Sequence, residues 1–79
     1  MKCTVLGKKT VSFTASDGKV INGTTLYTCY YDNTANVDGA ITDKFFVTAE
    51  KMPKKEIVVG ADIDVYFNRY GKVDAIAVD

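Results

Sequence analysis

The chain has 79 residues, and its composition already excludes several kinds of protein. Ten basic residues balance ten acidic ones, so no net charge points to a polyanionic partner. Hydrophobic residues make up 47% and charged residues 25%, which is typical of a globular domain and not of a disordered chain. There is no histidine, which excludes histidine-based catalysis and histidine metal ligation. We therefore expect no enzyme activity, no catalytic residues and no cofactor.

Residue types that favour β-strands dominate the chain. Val, Ile, Thr, Phe and Tyr together number 33, whereas Leu occurs twice. A chain of this length has room for one core. The composition predicts a single all-β domain spanning residues 1–79.

The first half of the chain predicts a hairpin. A long strand is predicted over Lys2–Thr14, and Gly7 in its interior indicates a bulge or sharp bend. The turn Ser16-Asp17-Gly18 joins it to a second strand over Lys19–Tyr31.

The second half predicts three more strands. A polar loop is predicted over Asp32–Asp43, and the third strand follows over Lys44–Ala49. A connector with one helical turn is predicted over Glu50–Glu56. The last two strands are predicted over Asp62–Tyr70 and Lys72–Val78. In the fourth strand alternation turns Phe67 inward and Tyr66 outward. The predicted core comprises Val5, Val11, Phe13, Phe45, Val47, Ile63, Val65, Phe67 and Ile76.

Five short antiparallel strands need a curled sheet to enclose a core. The sequence therefore predicts a five-stranded antiparallel barrel of the oligonucleotide-binding (OB) kind, because curling removes free edges. The bent first strand suits this barrel, since it must serve both sides. A half-open SH3-like barrel is the alternative, and the connector lengths do not separate the two.

The two cysteines, Cys3 and Cys29, have neither Cys-x-x-Cys nor zinc spacing. The first residues lead directly into a predicted strand, so we expect no signal peptide and a cytoplasmic location. In that compartment both thiols are expected to stay reduced. No apolar run approaches the roughly 20 residues of a membrane-spanning helix.

Tyrosines and lysines are the candidate functional residues. Exposed aromatic rings can stack on unpaired bases, and lysines can contact phosphates. Segments 1–31 and 44–55 each carry a net charge of +3, so together they could form a basic groove on a neutral protein. The candidate nucleic-acid-binding residues are Lys8, Lys9, Lys19, Tyr27, Tyr31, Lys44, Tyr66, Arg69 and Tyr70. The alternative is that the tyrosines cover half-buried strand surface and the charges are simply solvated.

Asp62 and Asp64 share one strand face and are the weakest candidate site. Two carboxylates could in principle hold a hard cation, but no further carboxylate stands at loop spacing. Solvated aspartates are the better interpretation, and no metal site is predicted.

The segment Phe13–Tyr27 resembles the first hairpin of the filamentous-phage gene V family of single-stranded-DNA-binding proteins. Phe13, Thr14, Gly18 and Gly23 match its spacing, and Tyr27 falls beside the position of a DNA-contacting tyrosine, which Leu26 occupies. Farther along, Gly60, Val65 and the pair Tyr70-Gly71 resemble the family's glycine-led strand and aromatic-glycine loop. The chain also looks like small uncharacterised proteins of phages and mobile elements.

The resemblance implies a five-stranded barrel and a stacking role for Tyr70. The basic residues of the family's first loop are here Ser16 and Ile21, which leaves Lys19 alone to supply charge there. The family's dimer-forming hairpin is shortened, so homodimer formation stays open.

Two functions follow from these observations. The first is non-enzymatic binding of single-stranded DNA, or RNA, by stacking and lysine–phosphate contacts. The second is a protein-interaction or assembly module of a phage or mobile element, in which exposed tyrosines contact another chain.

Overall fold

A computed structural model describes residues 1–32 and 36–78 of the chain. It contains five antiparallel strands in one sheet, which confirms the all-β prediction. The strands are β1 (Lys2–Thr14), β2 (Val20–Tyr31), β3 (Ala40–Thr48), β4 (Asp62–Phe67) and β5 (Val73–Val78). Their order across the sheet is β3-β2-β1-β4-β5. A single 3₁₀ turn, Ala49–Lys51, follows β3, and the described residues contain no α-helix.

The predicted hairpin of β1 and β2 is confirmed. The register between the two strands shifts between Val5 and Gly7, so a bulge lies where the sequence predicts one. At the turn Gly18 has a positive φ of 85°, a conformation that favours glycine. The amide of Lys19 donates to Asp17 Oδ1 at 3.1 Å and fixes the turn.

β3 begins four residues before its predicted start. Ile41 pairs with Tyr30 and Thr42 with Cys29, so the end of the predicted polar loop belongs to the sheet. The sequence conceals this because Thr42-Asp43-Lys44 is polar on both strand faces. Positions 33–35 of the predicted loop lie outside the described residues, as does residue 79.

β4 ends at Phe67, three residues before its predicted end. The register with β5 shifts between Tyr66 and Phe67, where β5 carries one extra residue. Phe67 still turns toward Phe45 on the core face, but it lies at the open seam, so its ring stays partly exposed. Asn68 then begins the turn, its amide donating to the carbonyl of Lys72 at 2.8 Å.

The core lies on one face of the sheet, and all five strands contribute to it. Its buried hydrophobic residues are Cys3, Val5, Leu26, Val47, Ile57, Ile63, Val65 and Ile76. Five of the nine predicted core residues are therefore confirmed. Two of the others are wrong: Phe13 is 46% exposed and Phe67 is 40% exposed. Phe45 is half-buried against the core, and Val11 is half-buried.

The segment between the 3₁₀ turn and β4 supplies a core residue that was not among those predicted. Ile57 is buried, and its carbonyl accepts a hydrogen bond from Lys8 Nζ at 2.6 Å. Two backbone hydrogen bonds hold the end of this segment along β1, from Gly60 N to Val5 O and from Val5 N to Ala61 O. The segment therefore closes one side of the core that the sheet leaves open.

The sheet does not close into a barrel, so the closed form of the predicted fold is wrong. Among the described residues β3 pairs with β2 and β5 with β4, and neither strand has a second partner. A hydrogen-bonded closure needs backbones about 4.7–4.9 Å apart. Aromatic side chains occupy this seam instead, with the rings of Phe45 and Phe67 in contact at 5.3 Å between centroids.

Both thiols are free in this fold. Cys3 is buried in the core, while Cys29 is half-buried and pairs with Thr4, so the two side chains lie on opposite faces of the sheet. Burial raises the pKa of the Cys3 thiol above its ordinary value. Within residues 1–32 and 36–78, no helix has the length and apolar character to cross a membrane.

Candidate functional site

An extended concave surface lies along the seam between β3 and β5. It is an open groove of about 550 Å³ that runs between the free edge of β3 and the turn joining β4 to β5. Its lining is aromatic and basic: Phe13, Ile21, Lys44, Phe45, Phe46, Thr48, Lys51, Phe67, Asn68, Gly71, Lys72 and Val73. The described part of this lining includes no carboxylate.

One pair of phenylalanine rings lies on the outer face of the sheet. Phe13 near the end of β1 and Phe46 on β3 have ring centroids 6.0 Å apart, and both are exposed. Gly23 on β2 lies beneath the Phe46 ring. A Cβ atom at Gly23 would lie 2.6 Å from Phe46 Cζ and 2.5 Å from the Val47 carbonyl oxygen. The absence of a side chain at Gly23 therefore allows the Phe46 ring to lie flat across the sheet.

A second pair of rings lies on the other side of β3. Phe45 is adjacent to Phe46, so its side chain points to the core face, where it contacts Phe67. Phe67 is still 40% exposed. β3 thus carries one ring on each face, with Phe45 turned to the seam and Phe46 lying over β2.

Three lysines surround these rings. Lys44 extends from β3, Lys51 from the 3₁₀ turn and Lys72 from the turn before β5. Lys51 Nζ lies 3.5 Å from Asp74 Oδ1, an exposed pair of small energetic value. The groove combines apolar planes with cations, which is the chemistry that holds unstacked bases and their phosphates.

The turn that borders the groove is held by one side chain. Asn68 Oδ1 accepts hydrogen bonds from the amides of Tyr70 and Lys72, at 2.9 and 3.1 Å. Gly71 has a positive φ of 76°, and its amide donates to the Asn68 carbonyl at 3.0 Å. These contacts fix the position of Lys72 relative to the rings.

The predicted tyrosines are exposed but spread over the molecule. Tyr27 pairs with Lys44 between β2 and β3. Together with Leu6 it lines a second cavity beside the groove. Tyr31 is 82% exposed at the far end of β2. The Tyr66 hydroxyl donates to Asp64 Oδ2 at 3.1 Å on the outer face of β4. Tyr70 lies in the β4–β5 turn.

The predicted cations also occupy different places. Lys44 lines the groove, and Arg69 in the bordering turn lies 5.0 Å from the centre of the Tyr70 ring. Lys19 lines a small cavity at the hairpin turn, and Lys9 is exposed on β1. Lys8 faces the segment before β4 instead, with Nζ on the Ile57 carbonyl and 3.6 Å from Glu56. Of the nine predicted site residues, Lys44 alone lines the groove. Arg69 and Tyr70 lie in the bordering turn without contributing to the lining, and Tyr27 lines the neighbouring cavity.

Most of the groove was not predicted from the sequence. Phe13, Phe45 and Phe67 were predicted in the core, and Lys51 and Lys72 were not among the candidate binding residues. One signal was present in the pair Phe45-Phe46, because adjacent strand residues point to opposite faces and a single core cannot take both rings.

The two aspartates of β4 are engaged by neighbouring groups. Asp62 Oδ1 accepts a hydrogen bond from Thr4 Oγ1 at 2.6 Å. The amino group of Met1 lies 2.9 Å from Asp64 Oδ1, and this hydrogen bond lowers the pKa of the Asp64 carboxyl below its ordinary value. Across the described residues no group of three or more potential metal ligands comes together.

No family model, curated protein or solved structure matches the chain. The gene V resemblance thus stays a hypothesis, and the function is argued from the groove alone.

Proposed function

We propose that the protein binds single-stranded nucleic acid in the seam groove, without catalysing a reaction. The observation that carries this proposal is the convergence of four phenylalanine rings and three lysines on one concave surface. Base–aromatic stacking contributes about 1–3 kcal/mol per base and tolerates any sequence. Single strands are favoured over duplexes because stacked, paired bases offer no free face to Phe13, Phe46 or Phe67.

The distribution of charge supports the proposal on a chain of zero net charge. Lys44, Lys51 and Lys72 lie at the groove, and Asp74 is the acidic residue that pairs with one of them. Few phosphate contacts mean modest affinity, so we expect micromolar binding by one chain at physiological salt, as an order of magnitude. DNA is the first candidate, and RNA is the other nucleic acid that this chemistry would hold.

The proposed fold is a partly open OB-like barrel. The strand order β3-β2-β1-β4-β5 is the order that such a barrel would have if it were opened between β3 and β5. OB folds bind oligonucleotides on the face of strands 2 and 3, between the loops after strands 1 and 4. The groove lies in the corresponding place. A cytoplasmic protein of a phage or mobile element suits this role and its two free thiols.

Titration of fluorescently labelled oligo(dT) at about 50 and about 200 mM salt tests the proposal. We expect saturable binding that weakens at the higher salt concentration. A control titration with a hairpin duplex of equal charge should give weaker binding at both salt concentrations. Absence of salt-dependent binding to single strands at about 50 mM salt would remove the proposal.

The second candidate function is a protein-interaction or assembly module. The specific observation in its favour is that β3 and β5 both end the sheet, and free edges can pair with another chain. Leu6, Val58 and Val59 are exposed apolar residues outside the groove. Sedimentation velocity over a hundredfold range of protein concentration, without nucleic acid, tests self-association, including the homodimer. Concentration-dependent assembly together with no oligo(dT) binding would favour this candidate.

A further inference from the structure

The backbone of β3 has a defined orientation at its free edge. The Val47 carbonyl oxygen lies over Gly23 of β2, and the Asp43 carbonyl accepts the Thr28 hydroxyl, also on β2. In an antiparallel strand the N–H and C=O groups of one residue point to the same side, and successive residues alternate. The amide groups of Lys44 and Phe46 therefore point away from β2, to the free edge of β3.

At Lys44 the donor already has a partner. The amide of Lys44 donates to Asp43 Oδ1 at 2.8 Å, which protects this part of the edge. The amide and carbonyl of Phe46 point to the free edge of β3, Phe46 contributes to the lining of the groove, and among the described residues no strand lies beyond this edge. Phe46 therefore offers one donor and one acceptor, side by side, at the edge that borders the groove.

We infer that this free backbone edge at Phe46 binds the Watson–Crick edge of an unpaired base. The inference rests on the proposed function and names the part of the nucleic acid that the site recognises. A base that extends the plane of the sheet at this edge lies beside the Phe45 and Phe67 rings of the seam, which are available to one of its faces. The Phe46 ring lies over β2 against Phe13, so at this edge Phe46 contributes its backbone. The three lysines favour a polyanion as the carrier of that base.

The hydrogen-bonding pattern selects a class of ligand. Thymine and uracil present N3–H beside a carbonyl, and adenine presents N1 beside an amino group, so each can pair with one backbone donor and one acceptor. These groups are occupied in a duplex and free in a single strand. The site therefore accepts several bases but requires them to be unpaired, and duplex is rejected by hydrogen bonding as well as by shape.

Base-modified oligonucleotides test the inference. Oligo(dT) is compared with an oligomer of N3-methylthymidine, which keeps the phosphates and the stacking surface but loses the N3–H donor. We expect about 2- to 10-fold weaker binding of the methylated strand. The salt dependence should be unchanged, because the phosphate contacts remain. Oligo(dU) is the control, because it lacks only the thymine methyl group, which lies outside the Watson–Crick edge. Its affinity should stay within about twofold of that of oligo(dT).

A matched pair of protein variants locates the contact. Phe46→Ala and Phe46→Pro both remove the ring, but only proline removes the amide donor, and edge strands tolerate proline. Discrimination against the methylated strand should persist in Phe46→Ala and shrink in Phe46→Pro. Circular dichroism melting shows whether both variants fold, and if Phe46→Pro does not, the modified oligomers decide alone.

The outcomes distinguish failure of base-edge binding from failure of the proposed nucleic-acid binding. Equal affinity of the wild-type protein for methylated and unmethylated strands overturns base-edge binding and leaves the proposed function in place. Failure of every oligomer to bind overturns both. Binding of an extended acidic peptide in the groove, with no oligomer bound, would mean that the edge accepts a strand of another protein.

Discussion

The rings of Phe45 on β3 and Phe67 at the end of β4 lie in contact across a seam where the two halves of the sheet share no hydrogen-bonded ladder. The two rings therefore set the distance between the strands on either side of the seam. A backbone closure would have hidden the β3 edge, whereas the aromatic contact leaves it accessible beside the rings. The same feature thus explains both the open barrel and the groove.

The first prediction concerns the energy of this contact. Phe67→Ala should lower the free energy of unfolding by about 1–2 kcal/mol, because the ring is only partly buried and aromatic pairs add about 0.5–1.5 kcal/mol. Leu26→Ala is the reference, and a fully buried leucine should cost about 2–5 kcal/mol. Urea unfolding followed by tyrosine fluorescence measures both. Equal losses in the two variants would mean that Phe67 is a core residue.

The second prediction concerns Gly23, which allows the Phe46 ring to lie across β2. Gly23→Ala places a methyl group against backbone as well as ring, so we expect about 1–3 kcal/mol of destabilisation. Gly7→Ala is the matched control. A Cβ there would meet only Tyr27 Cδ2, at 3.8 Å, and the effect should be smaller. Thermal melting of both variants tests this, and a milder effect at Gly23 than at Gly7 would contradict it.

The fold was largely predictable because strand pattern and turn chemistry are local. The β1–β2 hairpin follows from Ser16-Asp17-Gly18 and the bulge from Gly7, and both are confirmed. The start of β3 was not predictable from Thr42 and Asp43, because polar residues enter a strand when their partners on β2 pair with them. Long-range pairing decided that boundary.

The groove was harder to predict because exposure depends on closure. Phenylalanine is usually buried, and that rule is correct only if the barrel closes over the ring. Here the extra residue of the β1 bulge turns Phe13 to the outer face, and Phe67 lies at the open seam against Phe45. The Asn68 contacts that hold the turn of Lys72 are local, but the approach of this turn to the rings of β1 and β3 depends on long-range packing that the local sequence does not show.

The third prediction concerns the pH dependence of stability. The hydrogen bond from the Met1 amino group lowers the pKa of Asp64 in the folded protein. Asp64 therefore stabilises the fold above the unfolded carboxyl pKa of about 3.9, and this contribution is lost as the pH falls through the lower folded pKa. The urea midpoint of the wild-type protein should fall more steeply than that of Asp64→Asn between about pH 5 and pH 2.

A second variant measures how much the Tyr66 hydrogen bond contributes to the lowered pKa of Asp64. Tyr66→Phe removes the hydroxyl that donates to Asp64 Oδ2, the smaller of the two hydrogen-bonding causes. It should change the acid dependence in the same direction as Asp64→Asn but by less. Identical pH profiles for the wild-type protein and Asp64→Asn would show that the contact with Met1 contributes no linked stability.

The fourth prediction concerns the lysines at the groove. Lys72→Ala should weaken oligo(dT) binding uniformly across sequences and reduce the slope of log affinity against log salt by about one, since one phosphate contact is lost. Lys54→Ala removes an exposed cation of the connector outside the groove lining, and its slope should match that of the wild-type protein. Titrations at four salt concentrations measure the slopes. Equal slopes for Lys72→Ala and the wild-type protein would exclude a phosphate contact at Lys72.

The last prediction distinguishes the groove from the tyrosine surface that the sequence suggested. Phe46→Ala should weaken oligo(dT) binding by about 5- to 150-fold, because one stacking platform contributes about 1–3 kcal/mol. Tyr31→Ala also truncates an exposed ring, but Tyr31 lies at the opposite end of β2 from the Phe46 contact over Gly23. We expect less than a twofold change for Tyr31→Ala in the same fluorescence titration. Both variants remove one ring, so only its location differs between them. A larger loss of oligo(dT) affinity in Tyr31→Ala than in Phe46→Ala would therefore mean that the tyrosines form the binding surface.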